Sequence, residues 1–273
     1  MDKKAFLTPL ILLSAAFLLI GCTKTKKDRI VVKGSTTVLP ITQKAAEEYR
    51  KTVKVSITIE GSGSGNGIKA LIDGTADIAN SSRSMKDEEK KSAADKGIKI
   101  REIRAAYDMI VPVVNPANRI SGLTIDQVKA IYDGSISNWK ELGGADEAIV
   151  VISRDTSSGT YEVWHEKVMK KTDVRKDALL QASNGAIVGT VTENPRAIGY
   201  VGFGYISRKI KALKVNGVEP TIENGKSGKF PISRELYMYV NEGRFSDKAK
   251  KFIDFILSKD GQKLVKEEGF IPL

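Results

Sequence analysis

One cysteine and one histidine occur in 273 residues. A lone thiol, Cys22, leaves no intrachain disulfide to form. A lone imidazole, His165, excludes multi-histidine metal sites and argues against a Ser-His-Asp triad. Its place five residues after Thr160, on a helical segment, suits packing or surface better than chemistry. Aromatic residues make up only 7% of the chain, so there is no stacking platform, and no arginine-rich recognition helix stands out. There is no GK[ST] and no GxGxxG within 61–67, which disfavours nucleotide binding. "SNWK" (137–140) matches SxxK but lacks SDN and KTG partners, so acyl transfer is unsupported. Acid pairs such as Glu47-Glu48 fall on a solvated helix face. These absences argue against an enzyme and against a resident cofactor or metal. A secreted phosphatase would need a nucleophile or metal cluster that the sequence does not offer.

Long apolar runs are also scarce, with one exception at the N-terminus. "MDKK" is followed by "AFLTPLILLSAAFLLI" and then "GC" at 21–22. A basic start, an apolar stretch and a small-residue end read as an export signal, here 1–21. "LIGC" resembles a bacterial lipobox, which implies cleavage before Cys22 and lipidation of its sulfur. The lone thiol is thereby explained, and 22–29 becomes a polar tether. The mature protein is expected outside the cytoplasmic membrane, held by its N-terminal lipid.

The charge is unbalanced: 44 Lys+Arg against 33 Asp+Glu, formally +11. Removing 1–21, which carry Asp2, Lys3 and Lys4, leaves about +10 and a field that favours anionic partners. The basic residues are scattered beside acids ("KDEEKK", "KKTDVRKD"), so no nucleic-acid partner is expected.

Strand and helix patterns alternate along the rest. "RIVVK" reads as a strand, and Val38, Ile41, Ala45 and Tyr49 share a helical stripe. "VKVSITIE" (53–60) alternates like a half-buried strand, and Ile68, Leu71 and Ile72 follow at helical spacing before Gly74. Ser84 and Asp87 resemble a capping box. "AAYDMIVPVVNP", "AIVVISR", "AIGYVGFGYI", "IKALKV" and "ELYMYV" read as strands, and "TIDQVKAIYDG" and "GTYEVWHEKVMKK" as helices. Trp139 and Trp164 read as packing residues, and one or two helices close the chain. This order predicts an α/β fold with largely parallel sheets.

Four segments share one format, in which a strand leads through a Ser/Thr/Gly loop into a helix: "VVKGSTTVLPI", "TIEGSGSGNGIKAL", "DIANSSRSM" and "VISRDTSSGTYEVW". The glycine-rich one is no linker, since cutting there leaves roughly 30 residues of mature fold, too few for a core. Each loop delivers hydroxyls and free amides at the positive end of a helix, a combination suited to an anion. Arg83 and Arg154 each follow a serine at a strand end, where a guanidinium can grip oxygens in pairs. Taken singly, each loop is also an ordinary N-cap.

Together with "GLTIDQVKAIYDGSISNWKELGG" and "AIGYVGFGY", these motifs resemble the phosphate-binding lipoproteins of bacterial phosphate ABC importers, the PstS family. The resemblance spans 30–273. It implies a type II periplasmic-binding-protein fold: two lobes, 30–110 plus 234–273 and 111–233, each a mostly parallel sheet flanked by helices. "YDMIVPVV" and "SRELYMYV" would be the strands crossing between them. It further implies a monomeric receptor that takes inorganic phosphate and passes it to the transmembrane subunits of an ABC permease. By matched position, phosphate would be held by Thr36, Thr37, Ser64, Ser82, Arg83, Arg154, Ser158, Gly159 and Thr160. The chain departs from the family at Ser82, where a carboxylate ordinarily accepts the phosphate's proton. That departure leaves sulfate or another tetrahedral oxyanion as an alternative ligand, Asp155 as either a substitute acceptor or an orienter of Arg154, and the lone pairs of Ser82 itself as a further candidate acceptor.

Overall fold

The computed structural model describes residues 29–273. The expected export segment, the lipidated Cys22 and all of the tether but Arg29 lie outside the described residues. Among the described residues no helix is long and apolar enough to cross a membrane.

The first elements are β1 (Arg29–Gly34), α1 (Leu39–Thr52), β2 (Ser56–Gly61), α2 (Ser64–Ile72), β3 (Ile78–Ser81) and α3 (Asp87–Asp95). The chain then runs through β4 (Ile100–Val114), β5 (Gly122–Leu123), α4 (Ile125–Asp133), β6 (Val150–Arg154), α5 (Gly159–Lys167) and β7 (Leu179–Gln181). It finishes with α6 (Asn184–Glu193), β8 (Ala197–Gly202), β9 (Lys211–Ala212), β10 (Lys214–Val215), α7 (Ile222–Lys226), β11 (Ser233–Asn241), α8 (Asp247–Leu257) and α9 (Lys259–Glu267).

The main sheet has the order β2-β1-β3-β11-β4-β8-β6-β7. Its two wings are parallel: β1 lies between β2 and β3, and β6 between β8 and β7. The two central strands are antiparallel to each other and to the wing strands they adjoin. β11 pairs antiparallel with β3 and with the first part of β4, and the second part of β4 pairs antiparallel with β8. β4 thus changes neighbour between Met109 and Ile110, and 15 residues let it reach from one wing into the other. These are the two crossing strands, and the fold is the expected α/β arrangement.

Apolar periodicity accounts for the cores. Val38, Ile41, Ala45 and Tyr49 are all buried as one α1 stripe, against Phe252 and Ile256 of α8. A second cluster gathers Ile110–Val114, Val128, Ile131, Ile152, Ile187 and Ile198. Trp139 and Trp164 are buried in it, Trp164 stacked on Tyr200 at 4.1 Å. The two clusters sit on opposite wings of the sheet.

Some expected boundaries move. β2 begins at Ser56, because Val53 caps α1 through its N–H to Tyr49 and stays 37% exposed. The α3 cap is formed by Glu89, which accepts from the Lys86 N–H at 2.9 Å, whereas the Ser84 hydroxyl turns to Tyr237. "AIGYVGFGYI" stops as a strand at Gly202 and tightens into a 3-10 turn over Phe203–Tyr205. "IKALKV" divides into β9 and β10. β7 and α6 arise where no element was expected.

Candidate functional site

Four helix N-termini converge beside the crossing strands. α1 brings Thr36 and Thr37 just ahead of its first turn, α2 begins at Ser64, α5 begins after Ser158, and α6 begins at Asn184. α5 and α6 are capped by serines, which satisfy a free N–H group of the first turn, whereas α1 and α2 have no side-chain cap at their N-termini. Ser158 Oγ, for example, accepts from Tyr161 N at 3.2 Å. Thr36, Thr37, Ser64, Ser82, Ser158 and Thr160 are all buried. The positive ends of the helices therefore meet in a polar cluster shielded from water, where an anion is favoured.

Two glycines make this convergence fit. Gly63 has φ of 98°, and a Cβ there would stand 2.6 Å from Ser157 Oγ and 2.7 Å from Ser157 O. A Cβ on Gly159 would run into Ser64 Oγ and stand 2.9 Å from Ser82 Oγ. The second and fourth loops touch directly: Gly65 N donates to Ser157 O at 3.1 Å. The glycines thus provide clearance between loops carried by opposite wings.

The hydroxyls are wired by residues that sequence reasoning did not single out. Asn184 Nδ2 donates to Thr36 Oγ1 and to Thr37 Oγ1, each at 3.1 Å. Arg234 Nη1 donates to Thr160 Oγ1 at 3.0 Å, and its Nη2 to Thr37 Oγ1 at 3.3 Å. Thr37 and Thr160 themselves lie 3.1 Å apart. Arg234 starts β11 and pairs in register with Asp108 of β4. Asp108 is 0% exposed; its Oδ2 accepts from Arg234 Nε at 2.8 Å and its Oδ1 from Phe203 N at 2.9 Å. Burial pushes the Asp108 carboxyl up and the Arg234 guanidinium down, and their attraction opposes both shifts. One signal was available: Asp108 is a lone carboxylate inside the apolar run "AAYDMIVPVV".

Arg154 lies at the end of β6, 1% exposed. Its Nε donates to Gln181 O and its Nη2 to Ala182 O, both at 2.9 Å, and its Nη1 meets no acceptor in the protein. Burial lowers its pKa, and the like charge of Arg234 adds to the effect. Asp155 stands 4.0 Å from Arg154, but its Oδ1 takes the Ser157 N–H at 2.9 Å and the Ser157 hydroxyl. It braces the fourth loop.

Arg83 departs from expectation. Its guanidinium pairs with Glu89 at 2.7 Å and with Glu162 of α5. Against the cost of burial, these carboxylates hold its pKa above the ordinary value. Arg83, Lys86, Tyr161, Glu162, His165 and Arg234 line an open crevice of about 880 Å³. The Thr37 amide donates to Ser35 Oγ at 3.1 Å. Among the described residues no group of three or more His, Cys, Asp or Glu side chains could hold a metal ion.

Comparison with known proteins agrees with this architecture. Residues 23–260 match the model of a PBP superfamily domain. The phosphate-binding protein PstS of Borreliella burgdorferi is 34% identical, over 97% of this chain and 97% of its own. The PstS of Staphylococcus saprophyticus is 36% identical, over 88% of this chain and 79% of its own. Among solved structures is a Clostridium perfringens protein, described as a phosphate ABC transporter substrate-binding protein and crystallised with bound phosphate. It superposes with a TM-score of 0.85 at 38% identity, over 90% of this chain and 99% of its own. A Vibrio cholerae ABC-type phosphate transport receptor superposes with a TM-score of 0.73 at 31% identity, over 89% of this chain. With its crossing strands and its converging helix ends, this chain belongs to the periplasmic-binding-protein superfamily and, within it, to the PstS family.

Proposed function

We propose that this protein is an extracytoplasmic receptor that captures inorganic phosphate and delivers it to an ABC permease. Two lobes, 30–110 with 234–273 and 111–233, close over the anion. Thr36, Thr37, Ser64, Ser82, Ser158, Gly159 and Thr160 supply hydroxyls and helix-start amides, and Arg154 supplies charge. The observation that carries this reading is Arg154 Nη1, a buried guanidinium donor without a protein acceptor in a donor-rich cluster. A buried donor of that kind costs stability unless a ligand satisfies it. The relatives' phosphate-binding names and the bound phosphate of the Clostridium structure point the same way. In this reading Arg83 has no direct contact and instead ties the third loop to α5 through Glu162.

The receptor makes and breaks no covalent bond. The closed lobes present the surface that the permease's transmembrane subunits read. It acts as a monomer outside the cytoplasmic membrane, anchored through a lipid on Cys22. Calorimetry of the purified protein with phosphate and with sulfate tests the ligand: a phosphate heat with weak sulfate response is expected, and tight sulfate binding with no phosphate response overturns the reading. Steady phosphate release from an ester by the pure protein would overturn the binding-only role. Mass analysis of the membrane fraction should find an acylated N-terminal cysteine.

A further inference from the structure

Two neighbouring residues after α9 are buried in different wings. Phe270 packs in the cluster that holds α1, α8 and the first part of β4, and Ile271 in the cluster built on β6, β8 and the second part of β4. Both side chains are 0% exposed. Ile271 also forms a one-residue antiparallel bridge with Tyr107: Tyr107 N donates to Ile271 O at 2.8 Å, and Ile271 N donates to Tyr107 O at 3.2 Å. The bridge lies on the crossing strand itself, just before Ile110, where β8 joins β4. Gly204 and Gly225, from the chain between β8 and β11, give the segment room. A Cβ on Gly204 would run into the Phe270 ring, and a Cβ on Gly225 into Ile271 Cδ1.

The segment 269–273 is jointed at one end and stiff at the other. Gly269 ends α9 with φ of 80°, a left-handed turn that glycine adopts without strain, and donates its N–H to Lys266 O at 3.0 Å. Pro272 holds Ile271 to extended backbone. Beyond it, Leu273 N donates to Gln262 Oε1 at 2.8 Å, while Gln262 Nε2 donates to Ala105 O at 3.1 Å. The segment is therefore fixed to α9 and β4 and rooted in both cores.

We propose that 269–273 is a strap, a third connection between the wings, which limits how far they part when no anion is bound. The strap continues the chain of the first wing and is held in the second by Ile271. When the wings rotate apart, the torsions near Gly269 give the strap its slack, because Pro272 and the Tyr107 bonds fix the far side. Beyond that slack Ile271 leaves its site, which exposes apolar surface and empties a close-packed position. Opening stops there. A narrower open ensemble keeps a larger fraction of molecules near the binding-competent form, which raises the apparent affinity. This restraint rests on the two-lobe closure proposed above and adds a limit to the reverse movement.

Spin labels on cysteines placed at Lys91 and Lys176, exposed on opposite wings, test it through the distance between them in a Cys22→Ser background. Ile271→Ala, Gly225→Ala and Ile271→Val are compared with Ile131→Ala, a truncation in α4 of the same core cluster, and thermal melts confirm that each is folded. Without phosphate, the distance distribution should widen in Ile271→Ala and, because the added methyl dislodges Ile271, in Gly225→Ala. It should stay near wild type in Ile271→Val and Ile131→Ala. With saturating phosphate every variant should return to the wild-type distance, and the dissociation constant of the two widened variants should rise about three- to tenfold. If Ile271→Ala does not fold, Gly225→Ala carries the same reading. An unchanged distribution in the folded variants, or equal widening in Ile131→Ala, reduces 269–273 to ordinary packing and overturns the strap. Distances in the phosphate-free protein do not depend on which anion binds, so a wild type that binds no phosphate would instead overturn the functional reading.

Discussion

Arg154 and Arg234 are both buried arginines, but the structure uses them in opposite ways. Arg154 has two of its nitrogens tied to the Gln181 and Ala182 carbonyls, which aim the third and leave it unmatched. Replacing it with alanine removes a buried charge whose nearest carboxylate, Asp155, stands 4.0 Å away and is engaged by Ser157. Arg154→Ala is expected to weaken phosphate binding by at least ~1.5–3 kcal/mol, the usual range for a charge-assisted hydrogen bond. An unchanged dissociation constant in a titration would show that the fourth loop does not touch the ligand. Arg234 is matched to Asp108, so its loss is first a stability matter. Arg234→Met strands a fully buried carboxylate and should cost about 3–5 kcal/mol in chemical denaturation. Arg234→Met with Asp108→Leu removes both charges and should recover most of that loss, because a buried pair adds little beyond an apolar replacement.

Single elements carry two further expectations. The turn into α2 depends on Gly63, whose backbone is left-handed and pressed against Ser157. Gly63→Ala combines backbone strain of about 1–3 kcal/mol with a collision between loops from opposite wings. Binding should suffer more than stability, since the open protein can relieve the collision; equal phosphate affinity in the variant and wild type would contradict this. At the other end of α2, Asp73 bonds Lys69 within its own turn and Lys96 at the end of α3, at 2.8 Å. These bonds hold its carboxyl down at about 2, from 3.8. A folded pKa below the unfolded one means that the stabilisation is complete above about pH 4 and lost as pH falls toward 2. Denaturation midpoints of wild type and Asp73→Asn should therefore differ at neutral pH and converge in acid.

At the scale of the whole molecule, the sequence carries a formal charge of +11, whereas the buried Arg234 of the cluster is matched by Asp108. Most of the excess sits in surface lysines, many paired with nearby acids as Lys51 is with Glu48 and Lys69 with Asp73. Such a field attracts an anion over a distance without holding it once bound. Stopped-flow association of phosphate should slow as ionic strength rises, while the dissociation rate changes little. A dissociation rate that carried the salt dependence would place the charge at the bound anion instead. Closure also has visible fastenings between the wings: Gly65 N on Ser157 O, Tyr205 Oη on Thr36 O at 2.5 Å, and Glu162 held by Arg83 and Lys86.

Local patterning was sufficient for the fold class, for the α1 stripe and for the four loops. Hydrophobic period and Ser/Thr/Gly chemistry act over a few residues and are written into neighbouring positions. The same local logic nominated Thr36, Ser64, Ser82, Arg154, Ser158 and Thr160, all of which the fold buries. It did not foresee the ion pairs of Arg83, because one of its carboxylates, Glu162, comes from a helix almost eighty residues away in the chain. It also missed Asn184 and the Asp108–Arg234 pair. An asparagine at a helix start and an arginine at a strand start are common, and only pairing β4 with β11 places Arg234 beside Asp108, 126 residues distant. The sequence by itself determined which loops hold hydroxyls and helix ends. Tertiary structure alone decided which way those hydroxyls point, because their orientation depends on donors brought from remote strands.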